Sequence, residues 1–341
     1  MIKTLEYKDD VLYLIDQRKL PLETEYFECH NYKDAEFAIR DMVVRGAPAI
    51  GAAAAYGVVL AAREFINLEK NEFLTKLDAA MEILNNSRPT AVNLMWAIKK
   101  MRNLVNDSKN LANKGIYEKI KELGDTIFLE DVEINKTMAK FGNEVIKENA
   151  TILTHCNTGS LATVGYGTAL GVIREAHYSS KNIFVYADET RPRLQGGKLT
   201  AWELLQENIP CKLIPDSVAA TLIRDGKIDV ILVGADRIAS NGDTANKIGT
   251  FMLSVVARVY NVPFYIVAPT STIDFDIKSG DEIEIEERDS MEITHINGVR
   301  VAPENIEVYN PAFDVTPNEN ITGIITEKGV FGPDELGKIL D

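Results

Sequence analysis

Apolar and polar positions follow two different rhythms along the chain. Over the first 30 residues they alternate in three short pieces near 2–7, 11–15 and 22–28, which is the pattern of a small antiparallel meander. From Tyr32 to about residue 150 the apolar residues recur at helical spacing instead. The sequence therefore predicts an N-terminal domain in which three strands are followed by helices.

Proline and small residues divide the helical part. A first helix is predicted over Tyr32–Val44, and a second begins with Pro48 in its first turn, where a residue without an N–H is tolerated. The alanine-rich run after Pro48 predicts a helix that packs closely against its neighbours. Further helices are expected at three places, which are 72–86, Ser87–Met101 and 106–150.

From residue 151 the pattern changes to short apolar runs that alternate with helical segments. The runs lie at 151–154, 182–187, 211–214, 229–234, 263–268 and 321–326. Repeated units of this kind form a parallel sheet with helices on both faces. We therefore predict an α/β fold in which a smaller N-terminal domain, residues 1–125, precedes a Rossmann-like catalytic domain, residues 126–341. The acidic stretch 274–300 is predicted to be a surface excursion.

The bulk composition limits the classes of partner. The chain has 341 residues and a net charge of −14, which repels nucleic-acid phosphates and anionic membranes but tolerates a small anion in a local basic pocket. The uncharged, alanine-rich run Gly46–Ala62 is too short for a membrane span. We therefore expect a small-molecule ligand, and neither a nucleic-acid partner nor a membrane partner.

Cysteine and histidine spacing indicates the compartment. The three cysteines, Cys29, Cys156 and Cys211, lie far apart in sequence, which is typical of a reducing environment without a disulfide framework. The four histidines show no metal-ligand spacing, and the N-terminus has no apolar signal core. We expect a cytoplasmic protein with no metal site.

Polar side chains follow the predicted strands, at the edge of a parallel sheet where ligands bind. Cys156 comes directly after the first strand, in the turn His155–Gly159. A thiol before a helix N-terminus is acidified by the helix dipole and becomes a better base or nucleophile. The alternative is a buried cysteine that only fills space in the core. The sequence leaves both interpretations open.

Asp236 occupies the matching position after the fourth strand of the predicted sheet. Its carboxyl group follows a largely apolar run, so desolvation would raise its pKa and suit it to act as a general acid. The alternative is that Asp236 caps the next helix. His155 and Asp188 stand at the same edge, and we interpret them as hydrogen-bonded structural residues.

Three glycine-bearing segments are suited to phosphate. Arg45-Gly46-Ala47-Pro48 precedes a helix, where free N–H groups and the dipole favour anions. Arg191–Lys198 is predicted to be a flexible cationic loop, and Asn246-Lys247 follows the polar loop Asn241–Ala245. No Gly-x-Gly-x-x-Gly follows a strand and no Gly-Lys-Ser/Thr is present, so dinucleotide and nucleoside triphosphate cofactors are disfavoured.

Seven of these segments together carry a resemblance to a known family. They are Asp16–Pro21 (DQRKLP), Val44–Gly51 (VRGAPAIG), Ser87–Asn93 (SRPTAVN), His155–Gly159 (HCNTG), Asp188–Gly196 (DETRPRLQG), Gly234–Ile238 (GADRI) and Asn241–Thr250 (NGDTANKIGT). In this order they resemble the methylthioribose-1-phosphate isomerase family, over nearly the whole chain. That family is similar in turn to the regulatory subunits of the translation-initiation exchange factor, which share the fold without the catalytic pair.

The resemblance implies a function and a set of site residues. It implies an intramolecular oxidoreductase, without a cofactor, that converts 5-methylthio-α-D-ribose 1-phosphate into 5-methylthio-D-ribulose 1-phosphate in methionine salvage. It implies Cys156 and Asp236 as the catalytic residues and a homodimer as the assembly. The substrate contacts that it implies are Arg45, Gly46, Ala47, Arg88, Gln195, Asn246 and Lys247. The alternatives are a 5-deoxyribose 1-phosphate isomerase and a non-catalytic regulatory subunit on the same fold.

Overall fold

The computed structural model describes residues 2–88 and 92–340. The chain forms two compact units: unit 1 contains residues 1–133 and 160–167, and unit 2 contains residues 134–159 and 168–341. The predicted boundary at 125/126 and the division at 133/134 both fall within one long helix, Asn113–Val145. The return of residues 160–167 to unit 1 has no signal in the sequence. The division into domains 1–125 and 126–341 stays a prediction.

Unit 1 opens with the predicted meander. Its strands are β1 (Leu5–Lys8), β2 (Val11–Ile15) and β3 (Tyr26–Cys29), paired antiparallel in the order β1-β2-β3. The register places Leu5 opposite Leu14 and Leu12 opposite Cys29. All four of these side chains are fully buried, because alternate residues of a strand point to the same face. The prediction of three antiparallel strands from the alternation is therefore confirmed.

The helices of unit 1 also follow the apolar pattern. They are α1 (Tyr32–Arg40), α2 (Ala47–Phe65), α3 (Lys70–Asn85), α4 (Val92–Asp107) and α5 (Asn113–Val145), which crosses into unit 2. Asn31 caps α1 by accepting hydrogen bonds from the N–H groups of Lys33 and Asp34. Pro48 lies in the first turn of α2, and the alanine run behind it is buried. The predicted start of α4 within 87–90 lies partly outside the described residues.

Unit 2 is built on a seven-stranded sheet. The strands run in the spatial order β16-β15-β10-β7-β4-β5-β6, and all pairs are parallel except β15 with β16. Without the edge strand β16 this is the Rossmann strand order. The bounds are β4 (Thr151–Thr154), β5 (Phe184–Asp188), β6 (Cys211–Ile214), β7 (Val230–Val233), β10 (Phe264–Val267), β15 (Gly323–Thr326) and β16 (Gly329–Phe331).

Both faces of this sheet are covered. Along β7, Ile231 and Val233 belong to one buried cluster, whereas Val230 and Leu232 belong to the other. The first cluster includes side chains of α8 and α9, and the second includes those of α6 and α7. The bounds of these helices are α6 (Ala169–Tyr178), α7 (Ala201–Gln206), α8 (Val218–Arg224) and α9 (Thr250–Val259). The predicted Rossmann-like architecture is confirmed. Among the described residues, no helix combines the length and the apolar character that crossing a membrane requires.

A second, four-stranded sheet was not predicted. Its order is β11-β8-β9-β14, with β8 (Arg237–Ala239), β9 (Thr244–Lys247), β11 (Ile273–Asp274) and β14 (Phe313–Thr316). The stretch predicted as an acidic surface excursion begins at the last residue of β11. It contains a helical turn α10 (Met291–Thr294) and a hairpin of β12 (His295–Ile296) and β13 (Val299–Arg300). These strands have only two to four residues and carry many polar side chains, so they are too short for the sustained apolar pattern on which strand prediction depends.

Candidate active site

Cys156 and Asp236 follow neighbouring strands at the point where the strand order of the unit 2 sheet reverses. β4 pairs with β5 on one side and with β7 on the other, and Thr154 is aligned with Leu232. Cys156 is the second residue after β4, and Asp236 is the third after β7. In open α/β sheets, ligands bind in the crevice outside this switch point. The structure therefore brings the two residues to the position where an active site is expected.

Cys156 has a left-handed backbone conformation, with φ of +64°. Its N–H donates to Thr190 Oγ1 (2.8 Å), and its carbonyl oxygen accepts from Thr200 Oγ1 (2.5 Å). The side chain is partly exposed, so the interpretation as buried core filler is wrong. Strained backbone of this kind is frequent at functional sites because the surrounding contacts hold it in place.

The helix-dipole argument for Cys156 is also wrong. The turn after Cys156 leads into a short 3₁₀ segment, Ser160–Ala162, and α6 begins only at Ala169. The physical reason is that residues 160–167 leave unit 2 and belong to unit 1 before the chain returns to form α6. Cys156 is held by the hydroxyl groups of two threonines rather than by the end of a helix.

Asp236 is solvent-accessible and lies at the start of the β8–β9 hairpin. Its N–H donates to the carbonyl oxygen of Ala245 (2.8 Å), and the chain continues directly into β8, so the alternative of a helix N-cap is wrong. Desolvation by the surrounding protein raises the pKa of the Asp236 carboxyl above its ordinary value, although Lys247, Arg237 and Arg288 oppose the shift. A carboxyl group of this kind holds its proton more readily and can act as an acid.

Asn246 and Lys247 lie on β9, which also includes the last two residues of the predicted polar loop, and both are buried. The Asn246 amide donates to Thr250 Oγ1 (3.0 Å). Lys247 Nζ donates to the carbonyl oxygen of Ala312 (2.8 Å) and lies 4.2 Å from the centroid of the Phe313 ring. Desolvation lowers the pKa of Lys247 to about 8. The nearby Cys156 opposes this decrease, whereas the charge of Arg288 adds to it. Lys247 is therefore a buried cation within electrostatic reach of Cys156 and Asp236.

Arg288 is a site residue that sequence reasoning missed. Its guanidinium group lies 5.7 Å from the Phe313 centroid and donates to a Glu286 oxygen (3.1 Å). Within the described part of the chain its Nε is buried and has no hydrogen-bond partner. Its positive charge lowers the pKa values of both Asp236 and Lys247. The signal in the sequence was a basic residue that directly ends the acidic run Asp281–Glu287.

Gln195 is buried, and its side-chain oxygen has no hydrogen-bond partner among the described residues. It directly precedes a π-helical turn, Gly196–Thr200, a conformation often found at functional sites. The prediction of a flexible cationic loop is therefore wrong for this segment. Arg191 donates to the carbonyl oxygen of Ile293 (3.1 Å), and Arg193 donates to Glu292 (2.5 Å), so both arginines are tied to the stretch around α10.

The remaining predicted contacts belong to unit 1. Gly46 is the N-cap of α2, with φ of +93°, and a Cβ atom there would lie 2.0 Å from the carbonyl oxygen of Ala162. Only glycine fits this position. Arg45 and Ala47 flank it and are half-buried, so the three residues form one segment at the helix N-terminus. Arg88 is half-buried, three residues after the end of α3.

His155, Asp188 and Asp216 bring potential metal-ligating atoms within 4.8 Å of one another. Both ring nitrogens of His155 are engaged, with Asp188 Oδ2 and the Ile248 carbonyl oxygen at 2.9 Å each. The two carboxylate oxygens of Asp216 accept from the N–H groups of Thr190 and Arg191. Asp188 Oδ1 is the one carboxylate or imidazole atom of this described cluster that is buried without a hydrogen-bond partner. Because the other atoms already have partners, the arrangement fits a hydrogen-bonded cluster rather than a metal site.

Comparison with known proteins identifies the family. The family described as "Initiation factor 2 subunit family" matches residues 43–333. The chain belongs to this family. Within it, the methylthioribose-1-phosphate isomerase of Thermoanaerobacter sp. (strain X514) is 74% identical over 339 residues, which cover 99% of this chain and 98% of that protein. The resemblance found in the sequence motifs is thus confirmed, and the chain is a member of the methylthioribose-1-phosphate isomerase family.

Solved structures of this family share the whole fold. The 5-methylthioribose 1-phosphate isomerase from Pyrococcus horikoshii OT3 is 45% identical, with a TM-score of 0.94 over 99% of this chain and 96% of its own. A structure described as translation initiation factor eIF-2B, subunit delta, from A. fulgidus is 42% identical, with a TM-score of 0.92 over 100% of this chain and 99% of its own. The same fold is therefore associated with two different descriptions, and function depends on the site.

Proposed function

We propose that this protein is an aldose–ketose isomerase that converts 5-methylthio-α-D-ribose 1-phosphate into 5-methylthio-D-ribulose 1-phosphate in methionine salvage. The observation that carries the proposal is the pairing of Cys156 and Asp236 after adjacent strands at the switch point of the sheet. The high identity to methylthioribose-1-phosphate isomerases over the full chain supports the choice of substrate. A binding module on this fold has no need of a thiol and a carboxyl group with a raised pKa at that place.

The reaction sets two separate chemical tasks. The phosphate on the anomeric oxygen prevents the ring from opening by itself, so a proton must be supplied to the ring oxygen while the C1–O bond breaks. Hydrogen must then move from C2 to C1. Asp236 suits the first task as a neutral acid, because desolvation raises its pKa.

Cys156 suits the second task. As a thiolate it would take the C2 proton, leave an enediol-like intermediate and return the proton to C1. The C2 hydroxyl would then lose its proton as the ketone forms, which balances the proton that Asp236 gave to the ring oxygen. In the alternative mechanism, hydride passes directly from C2 to C1 and Cys156 stabilises the developing charge. Deuterium at C2 separates the two: extensive exchange of the label with solvent excludes the hydride shift, whereas full retention at C1 favours it.

The substrate phosphate requires cations and free N–H groups. Lys247 is mostly protonated at neutral pH, because its pKa is about 8, and a bound phosphate would favour the charged form further. The α2 N-terminus at Arg45-Gly46-Ala47 has the N–H groups and dipole that stabilise anions. We assign these residues, with Arg88, Gln195 and Asn246, to binding the phosphate and the sugar hydroxyls.

We further propose a cytoplasmic homodimer that forms through α9. This helix exposes a stripe of apolar side chains at helical spacing, with between 38% and 67% of each side chain accessible: Phe251, Met252, Val255 and Val259. Contiguous apolar surface of this kind is typical of an interface between subunits. Light scattering coupled to size exclusion tests the assembly. A monomeric wild-type protein at micromolar concentration contradicts it, as does an unchanged dimer in a Val255→Asp, Val259→Asp double variant.

One kinetic comparison tests the function. Wild type, Cys156→Ser and Asp236→Asn are each supplied with 5-methylthioribose 1-phosphate and 5-deoxyribose 1-phosphate. We expect both variants to lose at least about a hundredfold in kcat/KM. Cys211→Ser and Asp281→Asn, which change the same residue types elsewhere, are expected to retain wild-type rates. Unimpaired turnover in Cys156→Ser or Asp236→Asn contradicts the role of that residue.

Two alternatives are tested by the same comparison. A 5-deoxyribose 1-phosphate isomerase would show the higher kcat/KM with the deoxy sugar, since an apolar pocket discriminates only modestly over one small group. The second alternative is a regulatory subunit, and the observation behind it is the 42% identity to a structure described as eIF-2B, subunit delta. Failure of the wild-type protein to convert either sugar phosphate would support that assignment.

A further inference from the structure

His155 and Asp188 form a buried ionisable pair that has no role in the proposed reaction. Their side chains are 1% and 0% accessible, and His155 Nδ1 lies 2.9 Å from Asp188 Oδ2. The second ring nitrogen, Nε2, lies 2.9 Å from the carbonyl oxygen of Ile248. Burying two such groups costs free energy unless they are hydrogen-bonded to each other, so the pair is an unusual choice for simple core packing.

The contacts determine where the protons lie. A carbonyl oxygen can only accept, so Nε2 of His155 carries a hydrogen. The other ring nitrogen faces a carboxyl oxygen, and that contact requires one further proton between Nδ1 and Oδ2. With this proton on the ring, His155 is an imidazolium that donates two hydrogen bonds and Asp188 is a carboxylate. Without it, the Nδ1 lone pair would face a negative oxygen and the contact would become repulsive.

The imidazole ring joins two segments of the site. His155 directly precedes Cys156, and Ile248 directly follows Lys247. Thr190 extends the connection, since its hydroxyl accepts from the Cys156 N–H (2.8 Å) and donates to the Asp188 carbonyl oxygen (3.1 Å). Gly249 allows the close approach, because a Cβ atom there would lie 3.0 Å from the ring. One side chain thus links the thiol turn to the end of β9.

We propose that protonated His155, paired with Asp188, is a positioning residue that holds Cys156 and Lys247 in the arrangement required for isomerisation. The role in catalysis rests on the function proposed above, whereas the charged cross-link is a property of the fold itself. A shift of about 1 Å in a reacting group can cost on the order of a hundredfold in rate. A cross-link between the two segments therefore affects turnover without touching the substrate.

The charges around the ring support the protonated form. Burial would lower the pKa of His155, but Asp188, the Ile248 carbonyl and Asp216 outweigh it and leave the pKa raised. Burial raises the pKa of Asp188 to about 6, against the opposing effect of His155. Asp314 on β14 also interacts electrostatically with His155, and the charge of Glu189 helps to raise the pKa of Asp188. Because the pKa of His155 is raised, the charged cross-link persists to higher pH than an ordinary histidine allows, and it is lost as pH rises through that pKa.

Nuclear magnetic resonance of the wild-type protein tests the charge state directly. With ¹⁵N-labelled histidine, we expect both ring nitrogens of His155 to be protonated at pH 7. The chain has four histidines, and the signal missing from His155→Gln assigns the ring. In Asp188→Asn, which keeps the shape but removes the charge, we expect a neutral ring with hydrogen on Nε2 only. A neutral His155 in the wild type at pH 7 overturns the proposal.

Kinetics of the same variants test the positioning. We expect His155→Gln and Asp188→Asn to lower kcat by about ten- to a hundredfold and to change KM less. A Leu336→Ala variant, which removes a buried side chain elsewhere in unit 2, controls for loss of stability and is expected to keep the wild-type kcat once it is folded. Wild-type kcat in both pair variants overturns the proposal.

Alkylation of Cys156 separates this proposal from the assigned function. Iodoacetamide modification, followed by peptide mass spectrometry, reports on the thiol without any substrate. We expect the rate at Cys156 to change in Asp188→Asn while the rate at Cys211, which is also partly exposed, does not. An unchanged rate at Cys156 in both pair variants overturns the positioning role. If the wild type converts neither sugar phosphate, the proposed function fails. The NMR and alkylation experiments need no substrate, so they still test whether His155 and Asp188 form the charged cross-link.

Discussion

The pKa of Lys247 offers a quantitative test of the site. Lys247 Nζ and the Arg288 guanidinium carbon lie 4.2 and 5.7 Å from the centroid of the same Phe313 ring. Their charges are therefore at most about 10 Å apart, a separation at which repulsion is worth about 0.4 kcal/mol in water and about 1.7 kcal/mol at an effective dielectric constant near 20. Both side chains are largely buried, at 7% and 12% accessible, so the larger figure applies better.

Replacing Arg288 by Gln removes this repulsion, and the pKa of Lys247 should rise from about 8. The energies above correspond to about 0.3 to 1.2 pH units. The protonated lysine binds phosphate, so kcat/KM falls as pH increases through this pKa. Because 10 Å is the largest possible separation, we expect the alkaline limb of the kcat/KM profile, measured from pH 6 to 10, to move upward by at least about 0.3 pH units in Arg288→Gln.

Two controls define the result. Arg288→Lys keeps the charge and should leave the alkaline limb close to its wild-type position. Glu292→Gln removes a carboxylate that raises the pKa of Lys247, so the limb should move to lower pH. If the limb does not move in Arg288→Gln, or moves to lower pH, then Lys247 is not the titrating group and the electrostatic account of the site is incorrect.

Three further predictions concern stability and backbone geometry. The pKa of Lys247 is about 8 in the folded state instead of 10.5, and this difference costs about 3 kcal/mol of folding free energy at pH 7. The cost disappears as pH rises towards 10.5. Lys247→Met should therefore raise the melting temperature at pH 7 more than at pH 10 while lowering kcat/KM. Gly46→Ala should destabilise by more than about 1–3 kcal/mol in denaturant unfolding, because both the backbone strain and the clash with Ala162 act against it. Gly115 lies in α5, where a Cβ atom would make only ordinary contacts, so Gly115→Ala should leave the free energy of unfolding unchanged or increase it. Equal effects of the two substitutions on the free energy of unfolding would contradict this account.

The large elements were predictable because each has a repeated apolar signal. The runs at 151–154 and 211–214 match β4 and β6 residue for residue. The central strand β4 is mostly buried because both faces of the sheet are covered, whereas the edge strand β6 leaves Lys212 and Leu213 exposed. The meander was recognised from its alternation. Cys156 and Asp236 could then be placed at one edge of the sheet, because side chains after parallel strands meet there.

The parts that escaped prediction depend on long-range pairing. β9 reads Thr-Ala-Asn-Lys, which has no apolar alternation, and only its antiparallel partners β8 and β14 make it a strand. Neither this strand nor the burial of Lys247 was therefore predicted. Arg288 was hidden in an acidic stretch whose other charges suggested a solvated surface. The helix assumed after Cys156 failed because no local pattern shows that the chain first contributes residues 160–167 to unit 1.

The left-handed backbone of Cys156 has an evolutionary consequence. For a side chain with a Cβ atom, φ of +64° costs about 1–2 kcal/mol relative to glycine, and asparagine tolerates it better than most residues. A descendant released from the need for turnover would gain stability by replacing this thiol with glycine or asparagine. Loss of the reactive group is therefore thermodynamically downhill, and a cysteine at this position persists only while selection for its chemistry outweighs the strain. The fold is thus predisposed to give rise to inactive relatives through a single substitution.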